Sequence, residues 1–507
     1  MNEKNWAGNH TYEAAGVHVP GTVAEVQELV ASLTRVKALG TRHCFNDIAD
    51  FPAGELISLE RLGGMELDRA SNTVTIEGGV KYGDLAIYLD GEGFALPNLA
   101  SLPHISVAGA CATATHGSGV DNGNLATSVS SIEYVTANGE LVSLSREGDG
   151  ARFLGAVVGL GALGVVTRLT LDVEPAFEMR QIVYDDLPFA EVEAHFDEIM
   201  SSAYSVSLFT DWQGDKVGQV WRKGKLGTHP ASFLGTPPET GGGGVSGIGE
   251  VGTHPASFLG TPSETGGGGV LGIDEVGTHP GSFLTTPPEA GGGGVSGIDE
   301  VGTHPASFLG TPPETGRGRV SGIADFFGAK AADGPRHPVP CSETANCTDQ
   351  MGVPGPWHER LPHFKFGFRP SKGDELQAEY FVDREDSVGA LRAVRRLSDR
   401  MGDLLWISEV RTVDADDLWM SPCYRRRSTA IHFTWKSNWP EVSRLLPIIE
   451  DALAPFDARP HWGKLFTMSP LRVRLMYARL GDFRALARDF DPDGKFVNPF
   501  LAKYMTG

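Results

Sequence analysis

Acidic, basic and hydroxyl side chains at two-residue spacing near the C-terminal end of the chain could bind a substrate and move its protons. Glu409 and Arg411 lie in a segment with strand-like alternation, which places both side chains on one face. His432 and Thr434 repeat this spacing, and Lys464 follows about thirty residues later. Cationic and imidazole groups on one surface can stabilise developing charge and move protons, and the acid and the hydroxyl can add hydrogen bonds to a bound molecule. Ion pairs on a solvated strand would give the same pattern, so this group alone indicates no particular reaction.

Two segments in the first quarter of the chain could bring backbone N–H groups close to a flat, phosphate-bearing ligand. Gly40–Asn46 follows a predicted strand and contains His43. Leu96–Gly119 is rich in serine, threonine, glycine and other small residues and has only weak periodicity. Glycine-rich loops of this kind approach phosphate closely. A packed loop of small residues and a structural histidine are the simpler alternatives for these two segments.

Two other motifs lack the context that their chemistry requires. Gly159–Gly164 matches G-x-G-x-x-G, but Val165–Val173 behind it alternates and is β-branched, which predicts a strand. A dinucleotide-binding motif must open a helix at that point. His116–Gly119 resembles an esterase oxyanion loop, but no G-x-S-x-G occurs in the chain, so a hydrolase would lack its nucleophile. Both functions are therefore disfavoured.

The elements that position these residues predict an α+β fold rather than a doubly wound sheet, because helices and strands do not alternate regularly. Thr22 can cap a helix that begins at Val23. A second helix is expected over 82–89, and two more over 387–401 and 480–490. Strands are expected over 35–39, 56–59, 73–76, 132–136, 141–144, 165–173, 204–212, 219–221 and 406–413.

The chain divides into three predicted parts. A first domain covers residues 1–176, a second α+β domain with an antiparallel sheet covers 177–455, and a C-terminal segment covers 456–507. Within the second domain, a 25-residue unit that begins Gly-Thr-His-Pro recurs four times and fills residues 227–326. The units lack the constant apolar ladder of a solenoid and contain four-glycine runs. A flexible insertion is therefore predicted rather than a folded stack or a metal site.

Composition excludes several classes of function. The 507 residues carry 43 basic and 64 acidic side chains, a net charge of −21, which disfavours nucleic acids and anionic membranes as partners. The longest apolar stretch, residues 153–166, is too short to span a bilayer. No secretory signal is recognisable, and five cysteines without paired spacing favour a cytoplasmic protein with neither a disulfide framework nor a metal site. The oligomeric state is left open, and a monomer is compatible with the sequence.

Taken in order, these segments resemble the vanillyl-alcohol-oxidase superfamily of FAD enzymes, and within it the alditol (xylitol) oxidases beside the aldonolactone oxidases. The resemblance implies a PCMH-type FAD-binding domain of two subdomains, an α+β cap domain that binds substrate, and a C-terminal segment that completes the active site. It extends over nearly the whole chain outside 227–326. The segments that carry it are Asn5–Asn9, Gly40–Asn46, Leu96–Gly119, Leu160–Thr167, Tyr204–Trp212, Val353–Phe364, Glu409–Thr412, His432–Trp435, Arg459–Phe466 and Gly494–Asn498.

The resemblance implies that His43 bonds covalently to the flavin 8α-methyl group. The wider superfamily has a Gly-Ser-Gly-His-Ser loop here, whereas this chain has Thr41 and Arg42 before the histidine and Cys44 after it. A second link through cysteine is not expected, because Leu102-Pro103 precedes the loop where doubly linked relatives carry one. The expected flavin contacts are Gly40, Thr41, Arg42, His43, Cys44, Ser101, Ser106, Gly109, Thr113, Ala114, Thr115, His116 and Val166.

For the substrate, the resemblance implies a polyol whose primary hydroxyl is oxidised to the aldose. A hydride would pass from C1 to flavin N5, and dioxygen would be reduced to hydrogen peroxide. Arg411, Lys464 and His432 would be the catalytic residues, with His432 or a lysine-bound water as the proton acceptor. The expected substrate contacts are Ser101, Glu409, Arg411, His432, Thr434 and Lys464.

Two alternatives remain at this point. An aldonolactone oxidase or dehydrogenase would use the same fold on a different substrate. A repeat-bearing interaction protein could instead carry a flavin site that has decayed through the insertion.

Overall fold

The computed structural model describes residues 3–226, 326–368 and 375–505. Residues 227–325, which contain the four repeats apart from the last residue, lie outside this description. In the described part of the chain, no helix combines the length and the apolar character needed to cross a membrane.

The residues up to Pro175 form three small sheets. The strands are β1 (Gly16–His18), β2 (Val36–Leu39), β3 (Glu55–Ser58), β4 (Met65–Asp68), β5 (Thr73–Glu77), β6 (Phe94–Ala95), β7 (Val129–Val135), β8 (Leu141–Ser145), β9 (Val165–Asp172) and β10 (Glu174–Pro175). A parallel sheet has the order β1–β3–β2, an antiparallel sheet has the order β4–β5–β9–β7–β8, and β10 pairs with β6. The helices here are α1 (Val23–Ser32), α2 (Tyr82–Gly91), α3 (Val107–Ala112) and α4 (Arg146–Ala156).

A nine-stranded antiparallel sheet dominates the rest of the described chain. Its strands are β11 (Glu178–Pro188), β12 (Ser205–Thr210), β13 (Lys216–Lys225), β14 (Lys330–Ala331), β15 (Gly355–Pro356), β16 (Glu375–Asp383), β17 (Leu405–Val413), β18 (Ser428–Lys436) and β19 (Arg459–Pro460). The order is β14–β11–β13–β12–β17–β18–β16–β19, and β15 also pairs with β11. The helices are α5 (Phe189–Met200), α6 (Ser387–Arg395), α7 (Ser398–Met401), α8 (Trp439–Ala452), α9 (Pro470–Met476), α10 (Leu480–Phe490) and α11 (Pro499–Tyr504).

The two faces of this sheet differ in character because the strand sequences alternate. In β16, Leu376, Ala378 and Tyr380 are buried in the main hydrophobic core, together with residues of α5, α6 and α8. Gln377 and Glu379 point the other way and line a cavity. Since side chains along a strand alternate between faces, this pattern gives the sheet one apolar face and one polar face.

The predicted α+β class is confirmed, and most predicted elements occur within a few residues of their expected bounds. The Thr22 side chain accepts a hydrogen bond from the Glu25 N–H and so caps α1 as expected. Directly behind the glycine motif lies β9, as predicted. The helix expected over 387–401 is interrupted, because Leu397 has a φ of −99° and a ψ of 5° and its N–H bonds to Val394 O in a tight turn.

Leu96–Gly119 is also more ordered than the sequence indicates, because it contains α3. This helix is short and consists mostly of small residues, so packing rather than helix propensity accounts for its presence. Both Val107 and Cys111 are almost fully buried.

The segment outside the description leaves and rejoins the structure along one strand. The Leu226 N–H bonds to Glu178 O at the start of β11. The Phe326 ring lies 5.0 Å from the ring of Tyr184, six residues further along the same strand. At about 3.4 Å per residue these two points are roughly 20 Å apart.

Candidate active site

A cavity of about 550 Å³ separates the loops of the first sheets from the polar face of the nine-stranded sheet. Every residue predicted to contact the cofactor or the substrate lines this cavity, except Ala114. Ala114 is buried with a φ of 53°, between Thr113 and Thr115, which do line the cavity. Residues from distant parts of the chain therefore face one cavity.

His43 presents a neutral, partly unsatisfied imidazole to this space. Its Nδ1 lies 3.0 Å from the Thr41 hydroxyl, and its ring stacks on Trp6 at a centroid distance of 5.4 Å. Its Nε2 is buried and makes no hydrogen bond within the described chain. Burial, with a smaller contribution from His104, lowers the pKa of His43 to about 4. The ring is therefore uncharged at neutral pH and keeps a lone pair for bonding.

The loops around His43 approach one another so closely that a side chain at either of two glycine positions would have to displace Ser106. A Cβ on Gly40 would come within 2.9 Å of Ser106 Oγ, and one on Gly109 within 2.8 Å. The Ser106 N–H donates to the Thr41 hydroxyl over 3.1 Å, which ties the two loops together. Such exposed backbone suits a large flat group with a phosphate chain. Together with the unsatisfied imidazole, this cradle fits FAD.

Arg42 and Cys44, which flank His43, differ from the Gly-Ser-Gly-His-Ser loop of the wider superfamily, and the structure accommodates both. Arg42 adopts a φ of 63°, and its guanidinium pairs with the Glu3 carboxylate. Burial raises the pKa of the Cys44 thiol to about 11, so this cysteine stays protonated. Cys111 does not line the cavity and packs in the core with its Sγ 3.7 Å from the Tyr82 hydroxyl.

Three polar residues form one row across the floor of the cavity. His432 on β18 lies opposite Glu379 on β16 and opposite Glu409 on β17. All three residues are at most 7% exposed. Antiparallel register therefore places two carboxylates on either side of one imidazole.

Glu379 is the electrostatic centre of this row. Its carboxylate accepts hydrogen bonds from Arg411 over 2.8 Å and from Lys464 over 2.7 Å, and His116 Nε2 lies 3.2 Å away. Burial would raise the pKa of Glu379, but Lys464, His116 and Arg411 hold it well below the usual range. The carboxylate is therefore ionised and holds the Arg411 and Lys464 side chains in place.

Lys464 and His432 form a pair that can share a proton. Lys464 Nζ lies 2.6 Å from His432 Nδ1, and His432 Nε2 lies 3.1 Å from the Thr434 hydroxyl. Burial lowers the pKa of Lys464, with Glu379 opposing the shift. Burial and the adjacent Lys464 lower the pKa of His432 to about 4. An imidazolium is thus disfavoured, and any proton taken up by this pair resides on the lysine.

Glu409 is held by a second buried chain of polar groups. Its Oε1 lies 2.7 Å from His363 Nε2, and His363 Nδ1 lies 3.0 Å from Lys223 Nζ. Burial would raise the pKa of Glu409, but Arg411 and His363 keep it well below the usual range. Glu409 is therefore an ionised hydrogen-bond acceptor at the cavity surface.

Arg411 joins the two carboxylates and reaches across to the flavin-side loop. Its Nε lies 3.6 Å from Glu409, and one of its terminal nitrogens lies 3.4 Å from the Ser101 hydroxyl. Burial disfavours the guanidinium charge, but Glu409 and Glu379 outweigh this effect and raise the pKa of Arg411. Arg411 therefore stays cationic in the cavity.

The loop that carries His43 is tied directly to the segment that carries Lys464. The Asn46 side-chain amide donates to Trp462 O and to Lys464 O, each over 2.8 Å, and the Phe45 N–H donates to Gly463 O over 2.8 Å. Asn498, near the C-terminus, donates to the carbonyls of the turn that follows this loop, over distances from 2.6 to 3.3 Å. These bonds set the separation of the two ends of the cavity.

Several cavity residues were not singled out from the sequence. Glu379 and Gln377 alternate with apolar residues in β16, and this period-two pattern was the available signal. His363 lies within the Val353–Phe364 match but had no assigned role. Lys37, whose Nζ donates to Leu160 O and Gly161 O, gave no sequence signal at all. In the described ranges, no three histidine, cysteine or acidic side chains are grouped as a metal ion would require.

Two regions of the chain match known protein families. The family described as "FAD binding domain" matches residues 14–145, and the family described as "D-arabinono-1,4-lactone oxidase" matches residues 374–504. L-gulono-1,4-lactone dehydrogenase of Mycobacterium tuberculosis is 37% identical over 183 residues, which are 35% of this chain and 42% of that protein. L-gulonolactone oxidase of Bos taurus is 32% identical over 186 residues, 36% of this chain and 42% of that protein.

Similar solved structures have the same fold at low sequence identity. Cholesterol oxidase from B. sterolicum has a TM-score of 0.66 and 12% identity, and the match covers 99% of this chain and 96% of that chain. A solvent-stable cholesterol oxidase has a TM-score of 0.67 and 14% identity over the same shares. With the FAD-binding family match, they confirm the expected PCMH-type flavoprotein fold.

One relative matches along the whole chain. Alditol oxidase of Streptomyces sp. (strain IKD472 / FERM P-14339) is 40% identical over 506 residues, which cover 99% of both proteins. The expected family is confirmed: this chain belongs to the alditol oxidase family of FAD-dependent oxidoreductases.

Proposed function

We propose that this protein oxidises the primary hydroxyl of an alditol such as xylitol or sorbitol to the aldose and reduces dioxygen to hydrogen peroxide. The observation that carries the proposal is the buried row of Glu379, His432 and Glu409, with Arg411 and Lys464, facing the cavity that also contains the His43 loop. The full-length similarity to an alditol oxidase supports the substrate class.

The His43 loop and the Ser101–Gly109 segment would hold the FAD, with Val166 near its adenine end. Bound FAD would supply the hydride acceptor for the alcohol carbon and would pass the electrons to dioxygen. We propose that His43 is the single covalent attachment point. Its neutral ring and its buried Nε2 without a partner support this role, as does the absence of Cys111 from the cavity surface.

The cavity floor would bind the polyol through alternating donors and acceptors. Arg411 and Lys464 donate to the oxygen of the reacting hydroxyl and favour its deprotonation. Glu409 is ionised and accepts from another hydroxyl along the chain, while Ser101 and Thr434 can both donate and accept. A row of such groups favours polyols over simple alcohols. A simple alcohol lacks the further hydroxyls, so the buried groups that bind them would be left without a hydrogen-bond partner.

The hydroxyl proton would leave through the Lys464–His432 pair. His432 Nε2 accepts the proton while His432 Nδ1–H passes its own proton to neutral Lys464 Nζ, 2.6 Å away. The imidazole is neutral before and after, and the resulting ammonium is held by the Glu379 carboxylate at 2.7 Å. This route agrees with the low pKa of His432, since no imidazolium is formed.

A second candidate is oxidation or dehydrogenation of an aldonolactone. It is supported by the family match over residues 374–504 and by the partial similarity to gulonolactone enzymes. The two candidates are separated by assaying xylitol, sorbitol and L-gulono-1,4-lactone, with peroxide detection and with an artificial electron acceptor. Peroxide formation from the alditols supports the first candidate. Turnover of the lactone alone would overturn it.

A decayed flavin site is disfavoured, because every predicted flavin contact except Ala114 lines the cavity.

The covalent link has its own test. We expect the purified protein to be yellow and the flavin to stay with the polypeptide after denaturation in SDS or acid. In a His43→Ala variant the flavin should be released, whereas the exposed His195→Ala control should retain it. Free flavin from the unmodified protein would contradict the His43 link.

We further propose a cytoplasmic location, which the five free thiols support, since cytosolic proteins keep cysteines reduced.

A further inference from the structure

His363 lines the cavity, Lys223 is buried directly behind it, and neither has a role in the reaction described so far. Lys223 is on β13 and is 1% exposed, and His363 is 5% exposed. A buried lysine is costly unless each of its donors finds an acceptor. Their arrangement therefore needs a physical explanation.

Lys223 Nζ has three acceptors around it. They are Leu361 O at 2.6 Å, Pro362 O at 3.0 Å and His363 Nδ1 at 3.0 Å. An ammonium has three N–H donors and no acceptor, so three acceptors match it completely. A neutral amine could satisfy the two carbonyls and accept from a His363 Nδ1–H, but His363 Nε2 would then face the ionised Glu409 carboxylate at 2.7 Å without a proton. The geometry therefore indicates an ammonium ion, even though burial lowers the pKa of Lys223 to about 7.

The charged state of Lys223 determines the tautomer of His363. Because Nδ1 accepts from the ammonium, the single proton of the neutral ring must be on Nε2. That proton points to Glu409 Oε1 at 2.7 Å. Burial, followed by the charge of Lys223, lowers the pKa of His363 to about 4, which agrees with a neutral ring.

We infer that Lys223 and His363 are positioning residues that fix Glu409 as an ionised acceptor for a substrate hydroxyl. The chain runs from ammonium to imidazole Nδ1, and from imidazole Nε2–H to carboxylate Oε1. The donated hydrogen bond occupies one carboxylate oxygen and leaves Oε2, which lies 3.6 Å from Arg411 Nε, for the polyol. This inference rests on the proposed function, since it concerns how the same site recognises its substrate.

We expect this arrangement to affect substrate binding more than the chemical step. In the proposed function Glu409 accepts from a hydroxyl other than the one that loses its proton, so a misplaced or protonated Glu409 should weaken polyol binding more than it slows the chemical step. Loss of a hydrogen bond to a charged group changes affinity by about tenfold or more. We therefore expect the effect mainly in KM.

The test compares His363→Leu with His363→Gln in the flavin-loaded enzyme. His363→Leu should raise KM for xylitol about tenfold, with a smaller change in kcat. In His363→Gln the glutamine amide can still donate to Glu409, so we expect at least a threefold smaller rise in KM. The matched control is His358→Leu, five residues earlier and outside the cavity lining, which should leave both parameters within twofold.

A second substitution keeps the inference testable if His363→Leu fails to fold. Lys223→Gln removes the ammonium, frees the tautomer of His363 and should also raise KM more than it lowers kcat. Flavin content measured by absorbance must be unchanged in the variants compared. Equal losses for His363→Leu and His363→Gln, or losses confined to kcat, would overturn the inference. A wild-type enzyme that oxidises no polyol would instead refute the proposed function.

Discussion

Replacing Glu379 with glutamine should shift the acidic limb of the pH–rate profile to lower pH. Burial already lowers the pKa of Lys464, and Glu379 at 2.7 Å opposes that shift. Two opposite charges about 4 Å apart interact by about 4 kcal/mol at an effective dielectric constant of 20. At 1.36 kcal/mol per pKa unit this corresponds to about 3 units. Because Arg411 stays charged and water can enter, we expect a shift of about one to three units.

The sign follows from the proton route. Lys464 must be neutral to accept a proton, so activity falls on the acidic side as Lys464 becomes protonated. Without Glu379 the ammonium is less stable, and the limb moves to lower pH. The plateau should also fall, because a weaker base accepts the proton less readily. The limb reports the coupled Lys464–His432 pair rather than one residue.

The measurement is kcat/KM for xylitol between pH 5 and 10 in the flavin-loaded enzyme. The control is Glu450→Gln, which removes a different buried carboxylate from the opposite side of β16, where it accepts from Tyr380 and Thr467. This control should lower the melting temperature without moving the limb. A Glu379→Gln limb at the wild-type pH, or at higher pH, would refute the proposed proton route.

Three further outcomes are expected. Arg411→Lys should lower kcat/KM for xylitol by about a hundredfold in steady-state assays, because a lysine cannot make the Glu379 and Ser101 contacts together; a loss under threefold would contradict its role. Asn46→Ala should lower the free energy of unfolding by about 1–3 kcal/mol in urea titrations, because two buried carbonyls lose their donor; an unchanged midpoint would contradict the tie to the C-terminal segment. Replacing residues 227–325 with a ten-residue linker should preserve flavin content and turnover, because the two anchoring points are about 20 Å apart; a four-residue linker is too short and should lower the yield of flavin-loaded protein.

Local patterns in the sequence were enough to predict much of the fold. The cap at Thr22 and the strand behind Gly164 follow from chemistry within a few residues of each site. The break in the helix at Leu397 and the presence of α3 could not be predicted, because both depend on packing against distant residues rather than on local preference.

The candidate site likewise contains some residues that could be predicted from the sequence and others that could not. Glu409, Arg411, His432 and Lys464 were predicted, the first three from spacing and all of them from the resemblance. Glu379 was missed although it accepts hydrogen bonds from both Arg411 and Lys464, because a polar face on an amphipathic strand normally indicates solvent. Whether that face is covered depends on the loops from the first sheets. The Lys223–His363 contact joins residues 140 positions apart in the chain, and one sequence holds no information about such pairs.

The hydrogen bonds from Asn46 and Asn498 have a consequence for how such a chain can change over time. They fix the separation between His43 and Lys464 through short contacts that tolerate neither insertion nor deletion in either segment. The anchors at Leu226 and Phe326 are each held by their own contacts to β11, whatever lies between them. We therefore expect duplication or loss of whole repeats between these anchors to leave the separation of His43 and Lys464 unchanged. Lineages should accordingly differ in length at this one place while the distance between the cofactor and substrate ends of the cavity stays constant.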